Sequence, residues 1–218
     1  MKINTKVEYK NLQTFSSDLD RLSKFDIDSI YLHNFDYFLK SGNDKHIYEL
    51  KSLLKEFRKN SLLGASIYTI EEFQAAIELG FDVIQIPFNV LEGRFTYLRH
   101  FARQKNIRIV GRSIFLQGVL LKKNASSLLK GNGIKKYLKV ICDLEHTTGF
   151  SRLDLLITKA ISDLSVDEII FGVSSVQQLR KIIQSINLNI KIHQECFEEL
   201  HKLEIMDEQI LNPRNWNV

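Results

Sequence analysis

The feature that most constrains this chain is an alternation between two hydrophobic periods. Short segments with a β-type pattern are separated by longer segments in which apolar residues recur every three or four positions. The β-type segments are, in order, KINTKVEY, SIYLHN, LLGASIY, DVIQIPFN, IRIVGRSIF and DEIIFGVS. Most of those after the first are near-continuous apolar runs, which is typical of parallel strands covered on both faces. The repeat therefore predicts an α/β fold with a parallel sheet, either a (β/α) barrel or a doubly wound sheet.

The intervening segments carry helix signals. In LQTFSSDLDRLSKF the apolar residues follow helical spacing, which predicts an amphipathic helix. Thr69 precedes another such segment, and Glu72 three residues later completes a capping box. Gly80 is expected to end that helix. Two consecutive helices are predicted between the fifth and sixth strands.

A polar residue recurs at the carboxyl end of one predicted strand after another. These residues are Lys6, His33, Ser66, Gln85, Arg112 and Ser174. In a barrel the carboxyl ends of all strands meet at one mouth, where the active sites of such folds lie. A doubly wound sheet usually opens with a glycine-rich phosphate loop, and the chain contains no G-x-G-x-x-G sequence. The pattern therefore favours a barrel.

Composition narrows the class of protein and its partners. The chain has 218 residues, 44% of them hydrophobic, and we expect a single domain over residues 1–218. Its net charge of +4 comes from 30 basic and 26 acidic residues without a basic stripe, so no nucleic-acid partner is expected. The most apolar segment is too short and too polar to span a membrane, so no membrane partner is expected either. Two separated cysteines are typical of a reduced, cytoplasmic protein.

A metal site is not predicted. His193, Cys196 and His201 are close in sequence, but His193 and Cys196 also fit an ordinary amphipathic helix. We therefore favour the helix and expect no bound metal.

Seven short motifs follow one another along the chain. They are Thr5–Lys6, IYLHN, GASIY, DVIQIPFNVLEGRF, GRSIFLQGVLL, FGVSSVQQL and ILNPRNW. In this order they resemble the aldo/keto reductases, and most closely a bacterial subgroup found with surface-polysaccharide genes. Single motifs of this kind mean little, whereas seven in the family's order and spacing are a specific signal. The resemblance covers essentially the whole chain and implies the TIM (β/α)₈-barrel fold of that family.

The resemblance implies an NAD(P)H-dependent oxidoreductase that reduces a carbonyl of a small molecule, such as a sugar derivative. In such enzymes the cofactor carries the difficult chemistry, while the protein supplies position and electrostatics. Carried over position by position, Lys6 is the catalytic lysine and His33 the catalytic histidine. The implied cofactor-binding residues are Ser66, Gln85, Arg112, Ser113, Gln117, Gly118, Gly172, Ser174, Ser175 and Gln178.

The resemblance also gives these residues different roles. Ser66 and Gln85 are implied to hydrogen-bond the nicotinamide carboxamide, and Arg112 to lie against the nicotinamide ring. Gln117 and Gly118, after the fifth strand, are implied to line the part of the site that binds the cofactor's pyrophosphate. The residues implied to hold the adenosine follow the last strand and are Gly172, Ser174, Ser175 and Gln178. Ser174 and Gln178 stand where NADP-selective relatives often have arginine, so both NAD and NADP stay open as cofactors.

The chain is expected to be a partial barrel. By the resemblance, KINTKVEY corresponds to the family's third strand, and the family's catalytic Tyr and Asp belong to the units before it. We therefore expect six strands instead of eight, weak cofactor binding and impaired catalysis. We further expect the barrel to be closed by a homodimer or by a separately encoded N-terminal piece.

Two other functions stay open. The chain could be a non-catalytic remnant or a cofactor-binding module that no longer turns over. It could also be another phosphate-binding barrel enzyme, which the Lys, His, Gln and Arg residues at the strand ends support weakly. The lack of a glycine-rich phosphate loop argues against that last function.

Overall fold

The strand–helix alternation is present in the structure, a computed structural model of the chain. The structure describes residues 3–41, 43–57, 61–123, 133–188 and 194–216. It divides into two compact units. Unit 1 comprises Met1–Ile86 and Tyr97–Val110, and unit 2 comprises Pro87–Thr96 and Gly111–Val218.

In the described ranges, six strands form one sheet whose spatial order follows the sequence. They are β1 (Ile3–Val7), β2 (Ile27–Leu32), β3 (Leu62–Ser66), β4 (Val83–Pro87), β5 (Arg108–Arg112) and β6 (Glu168–Ile169). Strands β1 to β4 pair in parallel, in a register that aligns Lys6 with Tyr31 and Ser66 with Gln85. The carboxyl ends of neighbouring strands therefore lie side by side, as the sequence predicted.

Helices follow most of the strands. They are α1 (Leu12–Leu22), α2 (Phe35–Lys40), α3 (Ile47–Phe57), α4 (Ile70–Glu78), α5 (Thr96–Gln104), α6 (Lys135–Thr148), α7 (Arg152–Ile161), α8 (Val176–Asn187), α9 (Gln194–His201) and α10 (Glu208–Leu211). Short 3₁₀ turns occur at Asn43–His46, Val119–Leu121 and Pro213–Asn215. Among the helices in the described part of the chain, none has the length and apolar character needed to cross a membrane.

An aromatic cluster forms much of the interior of unit 1. Tyr9 packs edge-to-face on Phe38, and Phe35 packs in the same way on Phe81, each pair with ring centroids 5.1 Å apart. All four rings are at most 1% exposed. Such pairs are worth about 0.5–1.5 kcal/mol beyond the area they bury. The cluster anchors the segments that follow β1 and β2, the second of which begins with the candidate site residue His33.

Unit 2 has a separate apolar core. It is formed by α6, α7, α9 and the segment after β4, and includes the fully buried Leu91, Leu120, Ile141, Leu155 and Leu200. This core supports the loop after β5, because Leu116, Val119 and Leu120 belong to it.

Several predicted elements agree with the structure in detail. Helix α4 begins after Thr69, whose side chain accepts a hydrogen bond from the Glu72 N–H at 3.2 Å. The Glu72 carboxylate accepts one from the Thr69 N–H at 3.4 Å, so the predicted capping box is confirmed. Gly80 has a φ of +68°, which glycine adopts without a steric penalty, close after the end of that helix.

Three elements differ from the prediction. Helices α2 and α10 were not predicted, because their six and four residues are too few to show a period. The segment DEIIFGVS was predicted as a buried strand, but only Glu168–Ile169 is strand. Ile170 and Val173 are 38% and 42% exposed. Since β6 is the last strand in the sheet order, this segment has a described strand on one side only.

Candidate active site

Two predicted catalytic residues lie at neighbouring strand ends in unit 1. Lys6 is next to last in β1, and His33 directly follows β2. The His33 N–H donates to the Val7 carbonyl at 2.8 Å, which continues the parallel ladder past the end of β2. Both Lys6 and His33 are exposed. The structure therefore places the candidate lysine and histidine on adjacent strands, at the same end of the sheet.

A chain of hydrogen bonds connects Lys6 to two buried polar side chains. Lys6 Nζ donates to Ser66 Oγ at 3.1 Å, and Ser66 Oγ donates to Gln85 Oε1 at 3.3 Å. Ser66 is 1% exposed and Gln85 is 2% exposed. We call these three residues the strand-end cluster. They come from β1, β3 and β4, so the sheet brings together three residues that the sequence singled out separately.

Two members of the cluster, Ser66 and Gln85, are chemically unusual for an interior. Serine and glutamine are rarely this buried, and each needs partners to offset its lost hydration. The Ser66 hydroxyl accepts from the Lys6 ammonium and donates to the Gln85 amide, so its two neighbours set its orientation. A fixed ammonium beside oriented dipoles can stabilise negative charge that develops on a substrate oxygen.

The loop after β1 is held by contacts that the sequence analysis missed. Asn34 Oδ1 accepts from the Tyr9 N–H at 2.7 Å, and Asn34 Nδ2 donates to the Tyr9 carbonyl at 2.8 Å. The Tyr9 hydroxyl lies 3.2 Å from His46 Nδ1. Burial, and next the charge of Glu49, raise the pKa of Tyr9 above its usual value. Tyr9 is therefore a weaker acid than an ordinary tyrosine and a poor proton donor.

A pocket inside unit 2 brings together five predicted cofactor-binding residues. They are Ser113, Gln117, Gly118, Gly172 and Gln178. The pocket has a volume of about 550 Å³, within the usual range for small-molecule sites. Its walls are largely apolar and include Phe115 and Phe171, whose ring centroids are 5.8 Å apart. Such a pocket suits a ligand with a flat ring and a few polar groups.

The loop after β5 forms one wall of this pocket and has a strained backbone. Ser113, Leu116 and Gln117 have φ values of 63°, 45° and 53°, in the left-handed region that non-glycine residues seldom adopt. Such residues cost about 1–3 kcal/mol each and are concentrated at functional sites. Arg112 Nη1 donates to Ser113 Oγ at 3.2 Å, which links the end of β5 to the loop.

The first turn of α8 is organised by contacts between Gln178 and two other predicted residues, Ser174 and Ser175. Ser175 caps the helix, since its Oγ accepts from the Gln178 N–H at 3.2 Å. Gln178 Oε1 accepts from the N–H and the Oγ of Ser174, at 2.8 Å and 3.1 Å. These bonds engage the oxygen of the amide, so its nitrogen is the end that can donate to a ligand. Ser174 and Ser175 thus orient Gln178, which lines the pocket.

The donors around the pocket fit a nucleotide cofactor. Lys181 also lines it and adds a positive charge, which favours a phosphate. A Cβ on Gly118 or Gly172 would have no atom within 4 Å, so both glycines border open space. Lys181 was not predicted from the sequence, although its position three residues after Gln178 on a helix was a usable signal.

A comparison with protein families identifies the chain. A sequence model of the Aldo/keto reductase family matches residues 3–205, which include the strand-end cluster and the whole lining of the pocket. The chain belongs to the aldo/keto reductase family. A comparison with curated protein sequences gave no significant match.

Solved aldo/keto reductases have a similar fold. The holo form of aldo-keto reductase AKR11C1 from Bacillus halodurans matches with a TM-score of 0.74 at 19% identity, over 93% of this chain and 72% of that chain. Its apo form matches with a TM-score of 0.55 at 17% identity, over 93% and 81%. The predicted α/β fold of the aldo/keto reductase barrel type, with six strands in the described residues, is confirmed.

Family membership gives the chain its reaction class, that of oxidoreductases which use NAD(P)H. The individual roles of Lys6, His33 and the cofactor-binding residues stay predictions. His193, considered as a metal ligand, lies outside the described residues. Within the described ranges, no three His, Cys, Asp or Glu residues are grouped so that they could hold a metal ion.

Proposed function

We propose that this chain is an NAD(P)H-dependent reductase of a carbonyl group on a small molecule, such as a sugar derivative. The observation that carries the proposal is the strand-end cluster, in which the Lys6 ammonium donates to Ser66 and Ser66 donates to Gln85. Family membership supplies the reaction class. The cluster supplies a positive charge, hydrogen-bonded to Ser66, for the carbonyl oxygen that becomes an alkoxide.

The residues of unit 1 receive the following roles. When bound, the cofactor supplies the hydride. Lys6 stabilises the negative charge on the carbonyl oxygen, and His33 orients that oxygen through a hydrogen bond. The alkoxide that hydride addition produces takes its proton from water. Ser66 and Gln85 hydrogen-bond the carboxamide end of the cofactor, for which a hydroxyl and an amide are suitable partners.

The residues of unit 2 are assigned to the phosphates and the adenosine. Ser113 and Gln117 donate to the phosphates, and the N–H groups in the first turn of α8 favour an anion. Gln178 is oriented by Ser174 to donate to the adenosine end. Arg112 is assigned to the nicotinamide ring, against which its planar guanidinium can stack.

A cofactor-binding module without turnover is the second candidate. Carbonyl reduction needs a proton donor for the product alcohol, and a positioned donor is worth about 10²–10⁴ in rate. Tyr9, the tyrosine that follows β1, is fully buried, contacts His46 and has a raised pKa. These features disfavour Tyr9 as the donor, so they support slow turnover or none.

The two candidates predict different outcomes when NAD(P)H oxidation is measured with a panel of aldehydes and keto-sugars. We expect slow carbonyl-dependent oxidation that His33→Ala abolishes. His100→Ala is the matched control, since His100 is an exposed histidine on α5, and it should keep the wild-type rate. Saturable cofactor binding without any carbonyl-dependent oxidation would establish the second candidate. Absence of both binding and oxidation would overturn the proposal.

The choice between NADP and NAD is expected to depend on Lys181. NADPH carries one more phosphate than NADH, so a lysine in the pocket lining should favour NADPH. We expect Lys181→Gln to weaken NADPH binding by about tenfold and NADH binding by no more than about twofold. Fluorescence titration measures both affinities, and the exposed Lys139→Gln on α6 serves as control. An equal loss for the two cofactors would contradict this role of Lys181.

A further inference from the structure

His33 lies directly after the last paired residues of β1 and β2. The register of these two strands ends with Val7 opposite Leu32, and the His33 N–H donates to the Val7 carbonyl at 2.8 Å. His33 is exposed. An exposed side chain is held by its backbone more than by packing, so the direction of the imidazole depends on how firmly this end of the strand pair is fixed.

The side chain of Asn34 extends the pairing of the two segments beyond His33. Its Oδ1 accepts from the Tyr9 N–H at 2.7 Å, and its Nδ2 donates to the Tyr9 carbonyl at 2.8 Å. One side-chain amide therefore bonds both backbone groups of Tyr9, as the backbone groups of a neighbouring strand would. We call these two hydrogen bonds the Asn34 clamp.

The Asn34 clamp uses a side chain that would ordinarily serve a helix. Asn34 is the N-cap residue of α2, and an asparagine at that position usually accepts a hydrogen bond from an N–H in the first turn. In the described first turn, residues 35–38, no N–H donates to the Asn34 side chain. The amide is therefore engaged between two segments of the chain and not within its own helix.

Tyr9, the partner of Asn34, is held in place by its own contacts. It is fully buried, its ring packs edge-to-face on Phe38 of α2 at 5.1 Å, and its hydroxyl lies 3.2 Å from His46 Nδ1. Tyr9 is three residues after Lys6, and Asn34 directly follows His33. The Asn34 clamp therefore connects the segments that follow the two candidate catalytic residues.

We propose that Asn34 is a positioning residue that fixes the backbone of His33, and with it the point from which the imidazole reaches the carbonyl oxygen. This inference rests on the proposed function, in which His33 orients that oxygen. An amide suits the task because it carries an acceptor and donors on one planar group. The N–H of His33 bonds Val7 on one side and the Asn34 clamp follows on the other, so the backbone of His33 is held at both ends. A misplacement of about 1 Å at a reacting site can cost about 10² in rate.

Asn34→Ala removes the Asn34 clamp and keeps His33. We expect kcat for carbonyl reduction to fall by at least about tenfold, while the dissociation constant of NADPH changes by less than about twofold. Both are measured well below the melting temperature of the variant, so that unfolded protein does not contribute. Tyr9→Phe is the matched control, because it keeps the backbone groups that Asn34 bonds and removes only the hydroxyl. It should keep kcat within about twofold of the wild-type value.

Asn34→Asp is a conservative variant with nearly the same shape. Its carboxylate can still accept from the Tyr9 N–H, but it has no hydrogen to donate and places an oxygen against the Tyr9 carbonyl. Protonation of that carboxyl restores one donor and one acceptor. We therefore expect the kcat of Asn34→Asp relative to wild type to rise by at least about threefold from about pH 7.5 to about pH 5.5, while the ratio for Asn34→Ala stays constant.

Amide hydrogen exchange, followed by NMR, tests the Asn34 clamp without a measurement of activity. We expect the His33 amide to exchange at least about tenfold faster in Asn34→Ala than in wild type. The Ile67 amide is the internal reference, since it donates to the Gln85 carbonyl at 3.0 Å at another strand end and should exchange at an unchanged rate. If the wild-type chain reduces no carbonyl, the proposed function fails, and the exchange rates still decide whether Asn34 holds His33.

Three results would overturn the proposal. The first is a kcat for Asn34→Ala within about twofold of the wild-type value. The second is a loss of kcat in Tyr9→Phe as large as that in Asn34→Ala, since packing of the segment after β1 and not the Asn34 clamp would then set the rate. The third is a His33 amide whose exchange rate is the same in Asn34→Ala as in wild type.

Discussion

Replacing Arg94 by methionine is expected to lower the free energy of unfolding by about 3–5 kcal/mol, which corresponds to a melting temperature about 6–20 °C lower. The Arg94 side chain is 1% exposed and pairs with Glu92 at 2.8 Å and with Glu208 at 2.9 Å. Methionine would remove the guanidinium that makes two hydrogen bonds to the Glu92 carboxylate, which is also 1% exposed. Urea unfolding and thermal melting measure the loss.

A matched control separates the stability lost at Arg94 from the general effect of replacing an arginine by methionine. Arg21 pairs with Asp18 at 3.6 Å, but its side chain is 80% exposed, so Arg21→Met should cost less than about 1 kcal/mol. The double variant Glu92→Gln with Arg94→Met should recover part of the lost stability, because it also removes the negative charge of the buried Glu92 side chain. If Arg94→Met alone lowered the free energy of unfolding by less than about 1 kcal/mol, another group would have to stabilise the Glu92 side chain, and the role given to Arg94 would be wrong.

The large expected loss of stability follows from the two segments of the chain that the Arg94 ion pairs connect. Residues near Arg94 form a short ladder with Ile205, in which the Gly93 N–H donates to the Ile205 carbonyl at 3.2 Å and the Ile205 N–H donates to the Leu91 carbonyl at 2.8 Å. A Cβ on Gly93 would lie 3.1 Å from that Ile205 carbonyl, so glycine permits the close approach. Arg94 therefore connects the segment after β4 to the segment that carries Glu208, through its ion pair with that residue.

The same contacts keep Arg94 charged. Burial acts to lower the pKa of its guanidinium, but the hydrogen bonds and charges of Glu92 and Glu208 outweigh burial and raise that pKa above its usual value. The pair with Glu92 is doubly hydrogen-bonded, through Nε and Nη2 at 2.9 Å and 2.8 Å. A lysine could not reproduce this geometry, since it presents a single charged nitrogen.

Lys6→Met is expected to lower kcat for carbonyl reduction by about 10²–10³, with the NADPH dissociation constant changed by less than about twofold. The expected loss is that of one donor aimed at an oxygen that becomes negative in the transition state. Lys6 is an exposed residue at a strand end, so its loss should leave the fold intact. Steady-state kinetics give kcat, and fluorescence titration gives the dissociation constant.

Two further variants define the role of Lys6. Lys10 is another exposed lysine, in the segment between β1 and α1, and Lys10→Met should keep the wild-type kcat. Ser66→Ala removes the hydroxyl that orients Lys6, so we expect a smaller loss in kcat, of about tenfold. If Lys6→Met lowered kcat no more than Lys10→Met, the assignment of Lys6 would be wrong.

Much of the fold could be predicted from the sequence because its signals are local. Helix α4 is an example, since Thr69, Glu72 and Gly80 are close neighbours in the chain and mark its two ends. Helix α2, with six residues, is too short for a periodic signal. The exposure of the segment after β6 could not be predicted, because an apolar run has the same sequence pattern whether its strand lies at the edge of a sheet or at its centre.

The sequence could predict which residues belong to the candidate site, but not which of them contact one another. The polar residues at the strand ends, Lys6, His33, Ser66 and Gln85 among them, stand out because each ends or interrupts an apolar run. That Lys6 bonds Ser66, 60 residues away, was not predictable. Lys181 and Asn34 were missed, since a lysine on a helix and an asparagine after a strand are common everywhere.

The sequence by itself determined the order of strands and helices and the residue type at each strand end, since period, caps and turn residues act between close neighbours. Tertiary structure decided which strand ends share hydrogen bonds, and it paired Arg94 with Glu208, 114 residues away. It also decided that Val176 and Ile183 of α8 are exposed while Ile182 of the same helix is buried. These outcomes depend on which segments pack together, and that packing is determined by residues that are far apart in the sequence.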